Sequence, residues 1–375
     1  MKVTFRKGKC VLIVLILVGN ILLQTGCGFK DIDKRLFILA IGIDQAEKEE
    51  NQYRVTLKLA VPSGSLKEAS GTMYSYLTED SSNMADAIRK LKSQVDKEFD
   101  FGHLKTIIIG KKLLGHDLSE IVDIFLRRRD FQRVSWVAIG TPTAEKVLKT
   151  EPTTEMPASV ALFNIFSDTG VESPYIVTAY LFDFRRKMLE SGIDPVLPIM
   201  QADEKSTKLL VNHSVVLNDK KEALELNPQQ TKVYQTLKNE LDKIELLIKG
   251  EDHEFVVSID ALKSKFKILT TENGRAVLKL SVDLAGIIEE SDEYIQSKEL
   301  NSLSRQASKE VEKWVRDLLV LFQEKKVDPL GFGLRYKATR LESKDLRREW
   351  EQDIYPNMEF DVSVNVGIKS TGVIE

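Results

Sequence analysis

Ser264-Lys265-Phe266-Lys267 has the spacing of a nucleophile with its base, the S-x-x-K pattern in which a lysine amine takes the serine proton. The flanking residues give it another reading. Lys263, Lys265 and Lys267 alternate with Ser264, Phe266 and Ile268, which predicts a strand with one solvated lysine face. The four histidines, His103, His116, His213 and His253, have neither an i, i+4 pair nor a companion cysteine, so the sequence predicts no metal site. It holds no G-x-S-x-G elbow and no G-x-x-x-x-G-K-[ST] phosphate loop. Carboxylate pairs such as Asp31 with Asp33 and Glu289 with Glu290 are expected by chance among 57 acidic residues. No catalytic residue and no cofactor is predicted, and a binding or structural subunit is favoured over an enzyme.

Cys27 is the residue whose chemistry the sequence does specify. Lys2, Arg6, Lys7 and Lys9 form a positive start without acidic residues, and an apolar run follows from Cys10 to Val18 and again over Ile21, Leu22 and Leu23. That is a signal-peptide layout, and it is shorter than the roughly 20 apolar residues a membrane-spanning helix requires. Leu23-Gln24-Thr25-Gly26-Cys27 then resembles the bacterial lipobox, whose cysteine thiol takes a diacylglyceryl group and whose freed amine can be acylated in turn. Residues 1–26 would be removed. Two acyl chains give stable anchoring where one does not. An ordinary signal peptide with an incidental Cys27, or an uncleaved anchor, are the competing readings.

Removing residues 1–26 takes four basic residues and no acidic ones, leaving 50 basic against 57 acidic. An acidic chain disfavours nucleic-acid binding. It also argues against a polybasic membrane patch, and the Arg127-Arg128-Arg129 cluster reads first as the end of a helix. With Cys10 discarded and Cys27 acylated, no disulfide is expected, and the chain is long enough for two or three separate cores.

Hydrophobic periodicity supplies the elements that would carry these residues. Strands are predicted at Leu36–Ile43, over Tyr53 to Val61, at Thr106–Ile109 and at Val134–Ile139; helices over Met84 to Val95 and Leu118 to Phe125, with a third opened by Thr141-Pro142. Ser173-Pro174 should open a further helix that Gly192 ends. Asp194-Pro195-Val196-Leu197-Pro198 cannot continue it and predicts a linker. That places an N-terminal α/β domain at 27–200 and a C-terminal region at 201–375. In the latter, strands are predicted at 209–217, 254–259, 262–269, 276–288 and 358–368, with an Asn273-Gly274 hairpin turn and a long helix within 294–327.

The residues resemble the Ger(x)C lipoproteins, the C subunits of nutrient germinant receptors in endospore formers. The likeness spans essentially the whole mature chain. It rests on Cys27 with the Asp/Arg-rich Lys30–Arg35, on Gly42-Ile43-Asp44, on Gly102-His103-Leu104-Lys105, and on Asp328-Pro329-Leu330-Gly331-Phe332-Gly333 followed by Trp350, Tyr355-Pro356 and Ser370-Thr371-Gly372. Gly28 stands where the family commonly has a tryptophan after the cysteine.

The resemblance implies a mixed α+β fold of about three compact units, each of mixed or antiparallel sheet with packed helices. It implies a lipid-anchored, non-catalytic subunit on the outer face of the spore inner membrane, with the integral membrane subunits of the same receptor as partners. Trp350 and Phe332 are expected in the core. The rival is a solute-binding lipoprotein of an uptake system, which would have two mainly parallel-sheet lobes.

Overall fold

The computed structural model describes residues 34–371 except 49, 61–73, 153–165, 167–172, 206, 219–221, 240, 242, 250–253, 271–274 and 341–345. Cys27 and the Asn273-Gly274 turn lie outside the described residues. No helix among those described is long and apolar enough to cross a membrane.

The chain is mixed α+β, built on two sheets. Its first part runs β1 (Arg35–Gln45), β2 (Tyr53–Ala60), β3 (Tyr74–Ser81), α1 (Met84–Lys92), β4 (Glu98–Asp100), β5 (Thr106–Gly110), α2 (Ser119–Arg127), β6 (Trp136–Thr141), α3 (Ala144–Lys149), α4 (Leu181–Leu189), β7 (Val196–Ala202), β8 (Leu209–Leu217) and β9 (Ala223–Leu226). These strands form one sheet in the order β3-β2-β1-β5-β6-β7-β8-β9, with β4 beside the start of β1. β1, β5, β6 and β7 are parallel, whereas β2, β3, β8 and β9 add antiparallel edges.

The two faces of this sheet are covered differently. Ile41, Ile43, Val55, Leu57, Ile107, Ile109, Val137 and Ile139 pack beneath α1, α2 and α4. The opposite face carries small residues, Ala40 and Ala138 among them, against Ala144, Val147 and Leu148 of α3. A side chain at Gly42 would lie 3.2 Å from the Ala144 Cβ, so glycine there lets α3 approach the sheet closely. In β2, apolar residues alternate with polar ones, yet the second face is not solvated. Thr56 and Lys58 are fully buried.

The remaining elements are α5 (Pro228–Lys238), β10 (Ile244–Lys249), β11 (Glu254–Thr270), β12 (Ala276–Ser291), α6 (Leu300–Glu324), α7 (Phe332–Ala338), α8 (Leu346–Glu349) and β13 (Glu359–Ile368). β10, β11 and β12 are antiparallel, and β13 returns parallel to β12 after the crossover through α6. The stripe Leu303, Ala307, Val311, Val315, Leu318 and Phe322 buries α6 on this sheet. The two predicted strands at 254–259 and 262–269 are one long strand, β11, with a register shift between Ile259 and Ala261.

Three local expectations are corrected. Residues 194–198 are not a linker, because Val196 and Leu197 begin β7 and pair with Val216 and Val215. The sheet thus runs through residue 200 to Leu226. The helix expected from Ser173-Pro174 starts only at Leu181: the Ala179 carbonyl accepts from the Val137 amide (2.8 Å) and Tyr180 bridges Trp136, so the preceding chain is held extended. Thr143, not Thr141, caps α3, its hydroxyl accepting from the Lys146 amide at 3.0 Å.

Candidate functional site

Gly42-Ile43-Asp44 ends β1 with a carboxylate that is 6 % exposed. Its two oxygens accept from the amides of Ala144 and Glu145, both at 2.8 Å, and so cap α3 from a hundred residues away. Burial pushes the Asp44 carboxyl above its ordinary range, against the pull of those two amides. Lys58 lies at the other end of α3. Its ammonium donates to the Leu148 carbonyl (3.1 Å) and lies 4.9 Å from the Tyr74 ring centre, and burial lowers its pKa to about 8.

A second buried aspartate organises the C-terminal motif. Lys326, in the left-handed region at φ 55°, ends the turn after α6, and the Val327 amide reaches back to the Phe322 carbonyl at 2.9 Å. Asp328 follows. Its carboxylate accepts from the amides of Phe332 (2.9 Å) and Gly333 (2.6 Å), capping α7. Burial raises this carboxyl to about 7, with the same amides opposing the rise.

Asp328 also joins the two parts of the molecule. Its amide donates to the Asp194 carboxylate at 2.5 Å, and the Asp194 amide returns a bond to the Asp328 carbonyl at 2.9 Å. One turn on, the Leu334 amide donates to the Gly192 carbonyl at 2.8 Å. Gly192 has φ +84°, and a Cβ on it would lie 2.6 Å from the Gly333 backbone, so glycine is required twice over. Lys337 adds a bond to Ser191.

Trp350 and Tyr355 close the motif. Their rings stack at 5.3 Å, Tyr336 packs on Trp350 at 5.2 Å, and the Tyr355 hydroxyl donates to the Val327 carbonyl at 2.7 Å. Gln323 donates to the carbonyls of Tyr355 and Met358. Phe332 meets Phe266 edge-on. The expected core placement of Phe332 and Trp350 is therefore observed, at 1 % and 2 % exposure.

Between this motif and the first sheet lies a cavity of about 600 Å³. Asp328, Trp350 and Tyr355 line one side, the turn from Lys187 to Pro195 a second, and the loop from Leu114 to Ser119 a third. Carboxylates of Asp117, Glu190, Asp194 and Glu351 outnumber the nearby amines of Lys187 and Lys326. That lining suits a small polar molecule or a peptide segment more than catalysis, since both Asp328 oxygens are committed to backbone amides.

The residues first considered for chemistry are not brought together. Ser264 is buried, with its backbone bonded to the Asn239 side chain, whereas Lys267 is exposed; three apart on a strand, they point to opposite faces. His103 packs edge-on against Phe37, His116 lines the cavity, and His213 pairs with Asn212. Cys27, Asp31, Asp33 and His253 lie outside the described residues, and Glu289 and Glu290 are exposed at the end of β12. No cluster able to hold a metal occurs among the described residues. Asp44 was singled out only as part of the family motif; its cap on α3, the buried Lys58, the bonds of Asp194 and the cavity were not anticipated.

Two family models divide the chain between them. One, described as the spore germination protein N-terminal domain, matches residues 28–202; the other, a spore germination B3/GerAC-like C-terminal domain, matches 212–372 and contains the whole Asp328–Tyr355 motif. The chain belongs to the Ger(x)C family. Relatives within it include the putative spore germination protein YfkR of Bacillus subtilis (strain 168), 23 % identical over 98 % of this chain and 97 % of that protein, and the spore germination protein KC of the same organism, 22 % identical over 97 % and 96 %. GerQC of Bacillus cereus is 22 % identical over 74 % of this chain and 77 % of its own. The crystal structure of the GerBC protein matches the fold with a TM-score of 0.56 at 18 % identity, covering 88 % of this chain and 98 % of that one. The Ger(x)C models divide between residues 202 and 212, inside a sheet that continues to Leu226.

Proposed function

We propose that this chain is the lipid-anchored, non-catalytic C subunit of a spore nutrient germinant receptor, tethered through Cys27 and acting by contact with the receptor's integral membrane subunits. The observation that carries the reading is the pair of spore germination models, which together account for nearly all of residues 28–372. Two further features support it. The chemistry-bearing side chains are committed to structure, and the family's C-terminal motif holds two parts of the chain together around an open cavity, as suits a subunit that transmits contact. The solute-binding rival calls for two mainly parallel lobes, and the β10-β11-β12 antiparallel order does not fit it.

Deletion of the gene in a spore former lacking paralogous receptors should abolish nutrient-triggered release of dipicolinate from the spore core. Germination unchanged with every nutrient tested would end the receptor reading. Cys27→Ala should abolish incorporation of a labelled lipid and weaken membrane retention; a variant that still takes up the label would show that the anchor lies elsewhere.

A further inference from the structure

The parallel strands β1, β5 and β6 all begin at one end of the first sheet. The Lys105 amide bonds the Leu39 carbonyl, and the Trp136 amide bonds the Lys105 carbonyl, which sets the starts of β5 and β6 beside the fifth residue of β1, whose first three residues pair with β4. α2 runs back from the far end to finish here at Arg127, and α4 sets out from here, tied by bonds from the Leu181 and Phe182 amides to the Ser135 and Arg133 carbonyls.

This end has a composition unlike the rest of an acidic chain. Lys105, Arg129 and Arg133 are exposed and make no ion pair among the described residues. Arg128 lies 5.1 Å from the Phe101 and Phe131 ring centres and pairs with Asp130, which holds the turn in shape. Among these charges stand two exposed apolar side chains, Val134 at 59 % and Phe182 at 48 %. Phe182 is the outer rung of an aromatic ladder: its ring stacks on Tyr180 at 5.7 Å, and Tyr180 stacks on Trp136 at 6.4 Å. Aromatic and apolar tips among basic residues are the composition of a surface that rests in the headgroup region of an anionic bilayer.

The position of the anchor selects that occupant. β1 begins at Arg35, eight residues after Cys27, and eight extended residues reach at most about 28 Å. The strand starts are therefore the end of the molecule a Cys27 tether holds nearest the bilayer. From this the geometry points to the end bearing Lys105, Arg129, Arg133, Val134 and Phe182 as a membrane-docking surface that inserts its apolar tips among anionic lipid headgroups. The inference rests on the anchored reading given above. It revises the dismissal of a basic patch on net charge, because the fold brings Lys105 and Phe182 to the end that already carries Arg129, Arg133 and Val134.

The test uses the acylated full-length protein on vesicles. The mature chain has no cysteine besides the acylated Cys27, so Val134→Cys and, at the far end of β5, Lys112→Cys each accept one environment-sensitive fluorophore. On vesicles of equal parts phosphatidylglycerol and phosphatidylcholine, the label at 134 should blue-shift and be quenched several-fold more strongly by a chain-labelled lipid than the label at 112. Vesicles of phosphatidylcholine alone should weaken the effect. Lys105→Glu, Arg129→Glu and Arg133→Glu together should reduce it further, each charge contributing about fivefold to association with an anionic surface. Protein that floats with the vesicles while the label at 134 reads as fully aqueous would overturn the docking surface and leave the anchor intact; the face would then be available to a protein partner. Protein that neither gains acyl mass nor floats would overturn the anchored reading, and this inference with it.

Discussion

Two buried aspartates do the same chemistry in different places. Asp44 and Asp328 each present both carboxylate oxygens to two backbone amides at the start of a short helix, and burial raises the pKa of each. Asp44 reaches across a hundred residues to brace α3 against one sheet, its carboxylate packed close to Gly110 of β5. Asp328 caps a helix only four residues on, and its backbone is spent on Asp194 across the junction, beside the cavity. The same device thus makes one region rigid and makes the other a clasp. A cap inside a core fails only when that core fails, whereas a clasp at a cavity can open locally.

The clasp is most exposed to attack at its closest backbone approach. Gly192→Ala introduces a Cβ at positive φ and against the Gly333 backbone, so unfolding free energy should fall by about 3 kcal/mol or more. Denaturant titration measures it. A loss under about 0.5 kcal/mol would mean that the two glycines do not hold the junction.

Truncating the two aspartates separates their roles. Asp44→Ala and Asp328→Ala each strand two amides at a helix start, worth about 2–3 kcal/mol in either case. The pattern should differ. Hydrogen exchange in Asp44→Ala should rise in step with global unfolding, whereas Asp328→Ala should speed exchange first at Phe332, Gly333 and Leu334. If both variants exchange only through global opening, the junction is no clasp.

How far these features could be read from the sequence follows the same division. Strong periodicity located β1, β2, β5, β6, β8, β12, β13, α1, α2 and α6, and β11 as two pieces, and the resemblance brought out both aspartate motifs. Burial of polar residues hid α5. α5 reads as polar, yet Thr231, Lys232, Gln235 and Thr236 are buried, with Lys232 donating to the Glu245 carbonyl and Gln235 to the Ile176 carbonyl. β7 was masked by Pro195 and Pro198, because proline argues against a central strand. It is tolerated at 198 since pairing with β6 begins only at Ile199. The contribution of Asp44 to α3 needs a contact a hundred residues long, which no local pattern records.

pH should sharpen the contrast. With the Asp328 carboxyl near 7 in the folded chain and about 3.8 when unfolded, the folded state holds the extra proton between those values. Stability from this group is therefore present at low pH and lost as pH rises through 7, by about 2–3 kcal/mol between pH 5 and 8. Asp328→Asn should be less stable than wild type at pH 5 and should flatten that slope. An equal slope in the variant, by denaturant titration at both pH values, would place the titrating group elsewhere.

The smallest effect should come from the other end of α3. Lys58 is a buried ammonium whose folded pKa, about 8, is below its unfolded value of 10.5, so the unfolded chain binds more protons between these values and stability rises with pH across that window. The lysine is thus held against its own desolvation, and removing it relieves that cost. Lys58→Met would free the Leu148 carbonyl of one donor, but the Tyr76 hydroxyl still donates to it at 3.1 Å. The carbonyl therefore stays satisfied, unlike the two amides that lose Asp44. Lys58→Met should change stability by less than about 1 kcal/mol at pH 7 and abolish the rise between pH 8 and 10. A loss as large as that of Asp44→Ala would show that the cation, through Tyr74 and the helix end, is as necessary to α3 as its acidic cap.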